Sequence, residues 1–181
     1  LGSPLKSRWS YSEAKAVDEI LAYTYWREKG LETVIVRLFN TVGPRQTGSY
    51  GMVVPRFVEQ ALRDKPITIY GDGTQTRCFC GVGDVVAGMV ALSESPQAFG
   101  QVFNLGGSEE VSITELAERV ISLTESRSRI EFVPYAVAYE EGFEDMQRRV
   151  PDTSKARQLV GFAPTSDLDE IIRMVVEYQR V

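Results

Sequence analysis

The stretch Thr33-Val-Ile-Val-Arg-Leu-Phe39 decides the fold class of this 181-residue chain. It is rich in β-branched residues and nearly continuous in apolar character, which is typical of a strand buried on both faces of a parallel sheet. A second run of this kind is Val102-Phe-Asn-Leu105. The loop Asn40 to Gly51, with three glycines, follows the first strand. Ligands of open α/β sheets bind at the carboxyl ends of strands, so this loop is a candidate binding region.

Helices are predicted to alternate with strands on both sides of this stretch. Ser10 is a candidate N-cap for a helix from about Tyr11 to Lys29, and Gly30 is its stop signal. Further helices are predicted over 52–64, 85–95, 153–159, 168–178 and after Ser112 with Glu115 as a capping box, short strands over 67–70, 75–80 and 130–133, and a tight turn at 71–73. The alternation predicts an α/β fold. Because no G-x-G-x-x-G loop joins a strand to a helix, the sequence resembles the later part of a longer α/β protein.

The composition excludes several classes of function. The chain has no histidine, which removes Ser-His-Asp and Cys-His nucleophiles and imidazole zinc sites, and no metal site is predicted. With 25 carboxylates against 20 Lys plus Arg and no basic stripe, nucleic-acid binding is not expected. No signal pattern and no membrane span are visible. Cys78 and Cys80 are too close in sequence for an unstrained bridge, so we predict reduced thiols and a cytoplasmic protein.

Tyr11-Ser-Glu-Ala-Lys15 places a phenol and an ammonium four residues apart on one helix face. An ammonium beside a phenol favours the phenolate, which can exchange a proton with a substrate hydroxyl. Tyr and Lys at this spacing are also ordinary on a solvated helix. The pair therefore needs support from other motifs.

That support comes from five motifs that follow the helix in order. They are Arg37-Leu-Phe-Asn-Thr-Val-Gly-Pro-Arg45, Met52-Val-Val-Pro-Arg-Phe57, Pro66-Ile-Thr-Ile-Tyr-Gly71, Asp72-Gly-Thr-Gln-Thr-Arg77 and Arg148-Arg-Val-Pro-Asp152. With the Tyr/Lys pair they resemble the extended short-chain dehydrogenase/reductase family that acts on nucleotide-diphosphate sugars. The resemblance covers nearly the whole chain. It implies the C-terminal part of a Rossmann-type fold with its small α/β substrate-binding domain.

The resemblance implies NAD as cofactor and assigns four residues to it. Tyr11 matches the catalytic base of the family. Lys15 matches the residue that binds the nicotinamide ribose and favours the phenolate. Thr41 and Val42 fall where the backbone of similar enzymes approaches the nicotinamide.

The resemblance also implies a set of substrate-binding residues, for several of which a structural role is the alternative. Met52 and Val53 lie where the substrate is held at a helix start, although similar epimerases can carry asparagine at the position of Met52. The other matches are Asn40 for the sugar diphosphate or an Asx turn, Thr68 and Tyr70 for the base or plain strand packing, Arg77 and Arg149 for the pyrophosphate or solvated side chains, and Asp152 for the nucleotide ribose or a helix N-cap.

The implied function is NAD-dependent epimerisation of a nucleotide sugar, with 4-epimerisation of a UDP-sugar through a 4-keto intermediate preferred. The alternatives are a nucleotide-sugar 4,6-dehydratase, a UDP-glucuronate decarboxylase and a non-catalytic nucleotide-sugar-binding module. We predict residues 1–50 as the tail of the dinucleotide-binding domain and 51–181 mainly as the substrate domain, with 84–107 returning to the main sheet. Since the glycine-rich loop and the Ser/Thr partner of the tyrosine are absent, the isolated chain is expected to be inactive. A homodimer through the Tyr/Lys helix is also expected.

Overall fold

The computed structural model describes residues 7–48, 52–138 and 146–180. Helices and strands alternate along most of the chain, so the predicted α/β class is confirmed. The elements in chain order are α1 (Ser7–Lys29), β1 (Ile35–Leu38), β2 (Thr41–Val42), α2 (Val53–Leu62), β3 (Ile67–Tyr70), β4 (Thr76–Cys78), β5 (Cys80–Gly81), α3 (Val82–Ser93), a 3₁₀ turn (Pro96–Ala98), β6 (Val102–Leu105), β7 (Glu110–Ser112), α4 (Ile113–Thr124), β8 (Ile130–Val133), α5 (Tyr135–Ala138), β9 (Arg148–Arg149), α6 (Ser154–Val160) and α7 (Leu168–Gln179).

The two strongly apolar runs pair with each other. β1 and β6 are parallel, with Ile35 opposite Val102 and Leu38 opposite Leu105. The expectation that β1 is buried on both faces is wrong, because Arg37 and Leu38 are exposed. Among the described residues β1 hydrogen-bonds to β6 alone, which leaves its other edge uncovered.

Three further sheets complete the strand pairings of the described residues. β3 is parallel to β8, and β2 is parallel to β5. β4 lies between β7, which is antiparallel to it, and β9, which is parallel. The single strand predicted over 75–80 is two strands, because Phe79 separates β4 from β5.

Apolar side chains form two cores. The larger core joins α2, α4 and α7 to β3, and Phe57, Leu116 and Ile171 are completely buried in it. The smaller core joins α3, α6 and β6, with Leu92 and Phe103 at its centre. The larger core fits α2, α4 and α7 having one apolar stripe each.

Helix α1 leaves many of its apolar side chains exposed. It begins at Ser7, so Ser10 is inside the helix rather than at its N-cap. Gly30 ends it as predicted, with φ of +67° and its N–H bonded to the Trp26 carbonyl. Trp26 packs over Gly100, where a Cβ would lie 2.2 Å from the indole. Several of its apolar side chains are exposed, among them Val17, Ile20, Leu21 and Tyr25.

The capping predictions are confirmed in part. Ser112 Oγ accepts a hydrogen bond from the Glu115 N–H, but Glu115 Oε1 accepts from Arg119. A complete capping box occurs instead at Asp167 and Glu170, where α7 begins. The predicted loop 40–51 contains the short strand β2, and its residues 49–51 lie outside the described part. The polar stretch that leads to Val150 contains α5 and β9. Its residues 139–145 also lie outside the described part.

Candidate nucleotide-sugar site

The Tyr/Lys pair lies on the exposed N-terminal half of α1. Lys15 Nζ is 5.8 Å from the centroid of the Tyr11 ring, and 72% of Tyr11 is accessible to solvent. Lys15 Nζ also donates to Asp18 Oδ2 at 2.8 Å, and this hydrogen bond raises the pKa of Lys15. Both side chains of the Lys15–Asp18 pair are exposed, so Lys15 can exchange Asp18 for another hydrogen-bond acceptor at little cost in free energy.

The carboxyl end of β1 is tied to the strands β4 and β5. Asn40 has a φ of +37°, its Nδ2 donates to the Cys78 carbonyl at 2.7 Å, and its own carbonyl accepts from the Cys80 N–H. Its side chain thus bonds to a distant strand rather than closing an Asx turn. Thr41 follows, and its Oγ1 is buried without a hydrogen-bond partner among the described residues. Val42 points into the larger core, so only its backbone is available to a ligand.

The two arginines predicted for the pyrophosphate are neighbours. Arg77 on β4 is the register partner of Arg149 on β9. Partners in register project from the same face of a sheet, so the two guanidinium groups share one side. Arg77 Nη1 donates to the Met146 carbonyl at 2.8 Å, and the Arg149 guanidinium lies 5.2 Å from the Phe39 ring centroid. Phe39 directly follows β1, which brings the arginine pair to the carboxyl end of that strand.

A close backbone approach at Gly107 holds this region together. A Cβ on Gly107 would lie 1.9 Å from the Phe79 carbonyl oxygen, and one on Gly106 would lie 2.7 Å from Phe39. The two glycines follow β6, so the ends of β1 and β6 meet the segment between β4 and β5. No prediction from the sequence included these glycines in the site.

Asp152 lies in the turn that leads into α6. Its carboxylate accepts from the Ser154 N–H at 3.0 Å and from the Ser154 hydroxyl, and these bonds lower the pKa of Asp152. Ser154 is the first residue of α6 and Thr153 is its N-cap residue, so Asp152 lies one position before the cap and closes an Asx turn rather than acting as the N-cap. The Asp152 carbonyl accepts from Asn104 Nδ2 at 2.9 Å, which fixes this turn against β6. A contact of Asp152 with a nucleotide ribose stays a prediction.

Strand β3, which carries the residues predicted to contact the nucleotide base, is hydrogen-bonded to side chains of α2. Gln60 Oε1 accepts from the Thr68 N–H, Gln60 Nε2 donates to Thr68 Oγ1, and Arg56 Nη2 donates to the Thr68 carbonyl. The Arg56 guanidinium also lies 4.4 Å from the centroid of the Tyr70 ring. Sequence reasoning missed Arg56 and Gln60. Their spacing of four residues on an otherwise apolar helix was the available signal.

Met52 and Val53 stand where α2 begins. Met52 is the N-cap residue, exposed and without a side-chain capping hydrogen bond, and Val53 is half-buried. Gln46 joins this helix start to the end of β1, since its Nε2 donates to the Thr41 carbonyl at 3.0 Å and lies 3.5 Å from Met52 Sδ. Gln46 is a second residue of this region that the sequence motifs did not single out.

Two concavities lie outside this set of residues. One of about 660 Å³ is bounded by the C-terminal ends of α2, α4 and α7, and one of about 220 Å³ lies beside Phe79 and the residues before α7. Neither is lined by a residue predicted here for catalysis or binding. Within the described ranges there is no group of three Cys, Asp or Glu side chains that could hold a metal ion, and no helix long and apolar enough to cross a membrane.

The parallel strand pair, the exposed Tyr/Lys helix and the paired arginines agree with the extended short-chain dehydrogenase/reductase class to which the similar proteins belong. Within that class, the family model described as GDP-mannose 4,6 dehydratase matches residues 2–175, and the chain belongs to this family. The resemblance and the Rossmann-type fold predicted from the sequence are thereby confirmed.

Three similar proteins illustrate the range of the family. The chain is 37% identical over 180 residues to a UDP-N-acetyl-alpha-D-glucosaminuronate decarboxylase of Bacillus cytotoxicus, covering 99% of this chain and 56% of that protein. It is 40% identical to UDP-glucuronic acid decarboxylase 1 of Danio rerio, covering 97% and 40%. The crystal structure of a UDP-glucuronic acid 4-epimerase from Bacillus cereus, in complex with UDP-glucuronic acid and NAD, matches with a TM-score of 0.80 at 31% identity, covering 90% and 49%. The chain thus spans about half the length of these relatives.

Proposed function

We propose that this chain forms the substrate-binding part, and the catalytic Tyr/Lys helix, of an NAD-dependent enzyme that oxidises a UDP-sugar at its 4-hydroxyl. The observation that carries this proposal is the pairing of Arg77 with Arg149 beside Phe39, at the carboxyl end of β1. Two guanidinium groups on one face suit a diphosphate, because each can donate two parallel hydrogen bonds to phosphate oxygens. The similar UDP-glucuronic acid decarboxylase and UDP-glucuronic acid 4-epimerase add the UDP-sugar class.

The described residues fit NAD at the end of β1. Thr41 Oγ1 is a buried hydroxyl without a partner among them, and Lys15 is held by an exposed carboxylate alone. A hydroxyl and an ammonium at these places offer donors to the carboxamide and to the ribose of a nicotinamide nucleotide. When bound, NAD would accept a hydride from the sugar C4 and return it in a later step.

The residues of this chain would supply the proton transfer and the orientation of the substrate. Tyr11, as phenolate, would remove the proton of the 4-hydroxyl, and Lys15 would favour that phenolate by its charge. Arg77 and Arg149 would hold the diphosphate, so that the sugar presents C4 at a fixed place. Thr68 and Tyr70 would border the base, and Asn40 would fix the turn between β1 and the substrate strands.

The fate of the 4-keto sugar distinguishes two reactions. Return of the hydride to the opposite face inverts C4, which is the 4-epimerisation expected from the sequence. A 4-keto sugar with a carboxylate at C6 is a β-keto acid and loses CO₂ readily, which leaves a 4-keto pentose. Return of the hydride to its C4 would then give the pentose. The names of the relatives from Bacillus cytotoxicus and Danio rerio favour decarboxylation as the second candidate.

The test is to incubate the full gene product that carries these residues with UDP-glucuronic acid and NAD, and to identify the products by NMR. UDP-galacturonic acid indicates epimerisation, whereas UDP-xylose with CO₂ indicates decarboxylation. The Tyr11→Phe variant should lose about 10² to 10⁴ in kcat in either case. Full activity of this variant would contradict the proposed base. Tight UDP-sugar binding without any turnover would instead favour a non-catalytic binding module.

We further infer that α1 pairs with its counterpart in a cytoplasmic homodimer. The exposed apolar side chains Val17, Ile20, Leu21 and Tyr25 support this inference, because a helix that stays in water seldom carries so many. Light scattering of the gene product should give the mass of a dimer. A single species with the mass of a monomer would contradict it.

A further inference from the structure

An ion pair joins the Tyr/Lys helix to strand β1. Arg37 Nε donates to Glu19 Oε1 at 2.7 Å, and Arg37 Nη2 donates to Glu19 Oε2 at 2.6 Å. Glu19 belongs to α1 and Arg37 to β1, so the contact bridges 18 residues of sequence. Both carboxylate oxygens are engaged, and the hydrogen bonds from Arg37 lower the pKa of Glu19. This fork geometry is the one in which an Arg–carboxylate pair is strongest.

The position of Glu19 on α1 makes this contact relevant to the Tyr/Lys pair. Glu19 follows Lys15 by four residues and Tyr11 by eight, so the three side chains share one face of the helix. Opposite charges four residues apart on a helix ordinarily attract each other. Here Lys15 bonds to Asp18 at 2.8 Å, and Glu19 is committed to Arg37.

We propose that Arg37 is a positioning residue, which keeps the Glu19 carboxylate away from Lys15 and so leaves the ammonium available to the cofactor ribose and to Tyr11. The inference rests on the proposed function, since it gives Lys15 the role stated there. Without Arg37, Glu19 is an unpaired carboxylate one helical turn from Lys15. One N–H of the ammonium bonds to Asp18, so a second carboxylate would compete with the ribose hydroxyls for the two donors that remain.

A purely mechanical role for the pair is a distinct hypothesis. α1 is also tied to the segment before β1 by the hydrogen bond from Thr33 Oγ1 to the Ala22 carbonyl at 2.9 Å, and by the packing of Trp26 on Gly100. Loss of the ion pair therefore leaves two attachments of the helix in place. Within the described ranges, the groups that act on Lys15 are the Asp18 carboxylate and the Tyr11 phenol of its own helix. The nearby Glu19 carboxylate is paired with Arg37 of β1.

Three variants of the full gene product separate the two roles: Arg37→Met, Arg37→Lys and the double variant that combines Arg37→Met with Glu19→Gln. We expect Arg37→Met to weaken NAD binding and to lower kcat, each about tenfold, because the released Glu19 draws Lys15 out of place. The double variant should return both values to within about threefold of the unmodified protein, since the competing charge is gone. Arg37→Lys should lie close to the unmodified protein, because it still neutralises Glu19.

A second readout follows Lys15 directly. In the NMR spectrum of protein with ¹³C-methylated lysines, the pKa of Lys15 should rise in Arg37→Met and fall back in the double variant, because a nearby carboxylate favours the charged ammonium. Arg63→Met is the matched control. It removes a different exposed Arg–Glu pair, between Arg63 and Glu59 on α2, and should change none of these values.

Two outcomes would overturn the inference. A double variant as impaired as Arg37→Met would mean that the pair only attaches the helix, and an unchanged Arg37→Met would mean that Glu19 does not reach Lys15. Tyr11→Phe, measured in parallel, separates these results from a failure of the proposed function. If Tyr11→Phe stays active, the catalytic assignment itself is wrong, whereas an inactive Tyr11→Phe with an unaffected Arg37→Met refutes only the role of Arg37.

Discussion

The larger core and helix α1 use apolar residues in opposite ways. In the larger core, α2, α4 and α7 bury Phe57, Leu116 and Ile171 completely against β3 and one another. On α1, Ile20 is 64% exposed and Tyr25 is 53% exposed. The region proposed to hold the nucleotide therefore builds its own core from the described residues, whereas the helix with the Tyr/Lys pair leaves apolar side chains exposed. The residues proposed for binding and for catalysis thus lie in regions that differ in how much of their apolar surface is covered.

The largest expected effect is on stability, when truncation of a buried apolar side chain is compared with truncation of an exposed one. We expect Phe57→Ala to lower the free energy of unfolding of the 181-residue chain by about 3 to 5 kcal/mol, because it leaves a cavity in the larger core. Ile20→Ala should change it by less than about 0.5 kcal/mol. Urea denaturation followed by circular dichroism measures both. Equal losses would show that α1 is as tightly packed as the core.

The second prediction concerns ligand binding. Arg77→Ala should weaken the binding of UDP-glucose to the chain by about 1.5 to 3 kcal/mol, which is roughly a 10- to 150-fold increase in Kd, because a charged hydrogen bond to the diphosphate is lost. Tyr11→Phe should leave this affinity unchanged, since α1 contributes to chemistry rather than to the hold on the diphosphate. Isothermal titration calorimetry checks both variants. An equal loss in Tyr11→Phe would join the two regions into one binding site.

The smallest effect tests how the two cores are joined. The Asp84 carboxylate, in the first turn of α3, accepts from Thr165 N and Oγ1 at 3.1 and 2.9 Å and from Ser166 N at 3.2 Å, just before α7. Burial acts to raise the pKa of Asp84, but these hydrogen bonds hold it below its ordinary value. At pH 7 we expect Asp84→Asn to cost about 1.5 kcal/mol.

The pH dependence of this cost follows from the sign of the shift. A carboxyl whose pKa is lower in the folded state stabilises the protein above its ordinary pKa of about 3.9 and loses that contribution as the pH falls through the folded value. The difference in unfolding free energy between the unmodified chain and Asp84→Asn should therefore shrink below about pH 4. A difference that stays constant from pH 7 to pH 3 would show that the charge of Asp84 is not involved.

The sequence predicted those parts of the fold that depend on local signals. The strands Ile67–Tyr70, Val102–Leu105 and Ile130–Val133 lie where their β-branched and aromatic runs predicted them. The Ser112 cap and the Gly30 stop are also observed, because caps and stops are formed by neighbouring residues. The start of α1 was misplaced, since Ser10 can cap a helix equally well as it can lie within one.

Features that depend on distant residues were beyond the reach of these patterns. The pinning of Thr68 by Arg56 and Gln60, and the approach of Gly107 to Phe79, arise when separate segments pack together. The side-by-side placement of Arg77 and Arg149 was implied by a family resemblance, and no spacing rule predicts it, because 72 residues separate the two. Local propensity predicts the secondary-structure elements, whereas the candidate site depends on how these elements pack together.

The tryptophans and the cysteines, which serve as natural reporter groups, lie in different regions of the molecule. Both tryptophans of the chain, Trp9 and Trp26, lie on α1, whereas both cysteines, Cys78 and Cys80, are buried in β4 and β5. Burial raises the pKa of Cys80 to about 11, so this thiol reacts slowly with alkylating reagents while the sheet stays closed. Tryptophan emission therefore reports on α1, and thiol labelling reports on β4 and β5. The unfolding rates of these two regions can be measured separately in an unmodified chain.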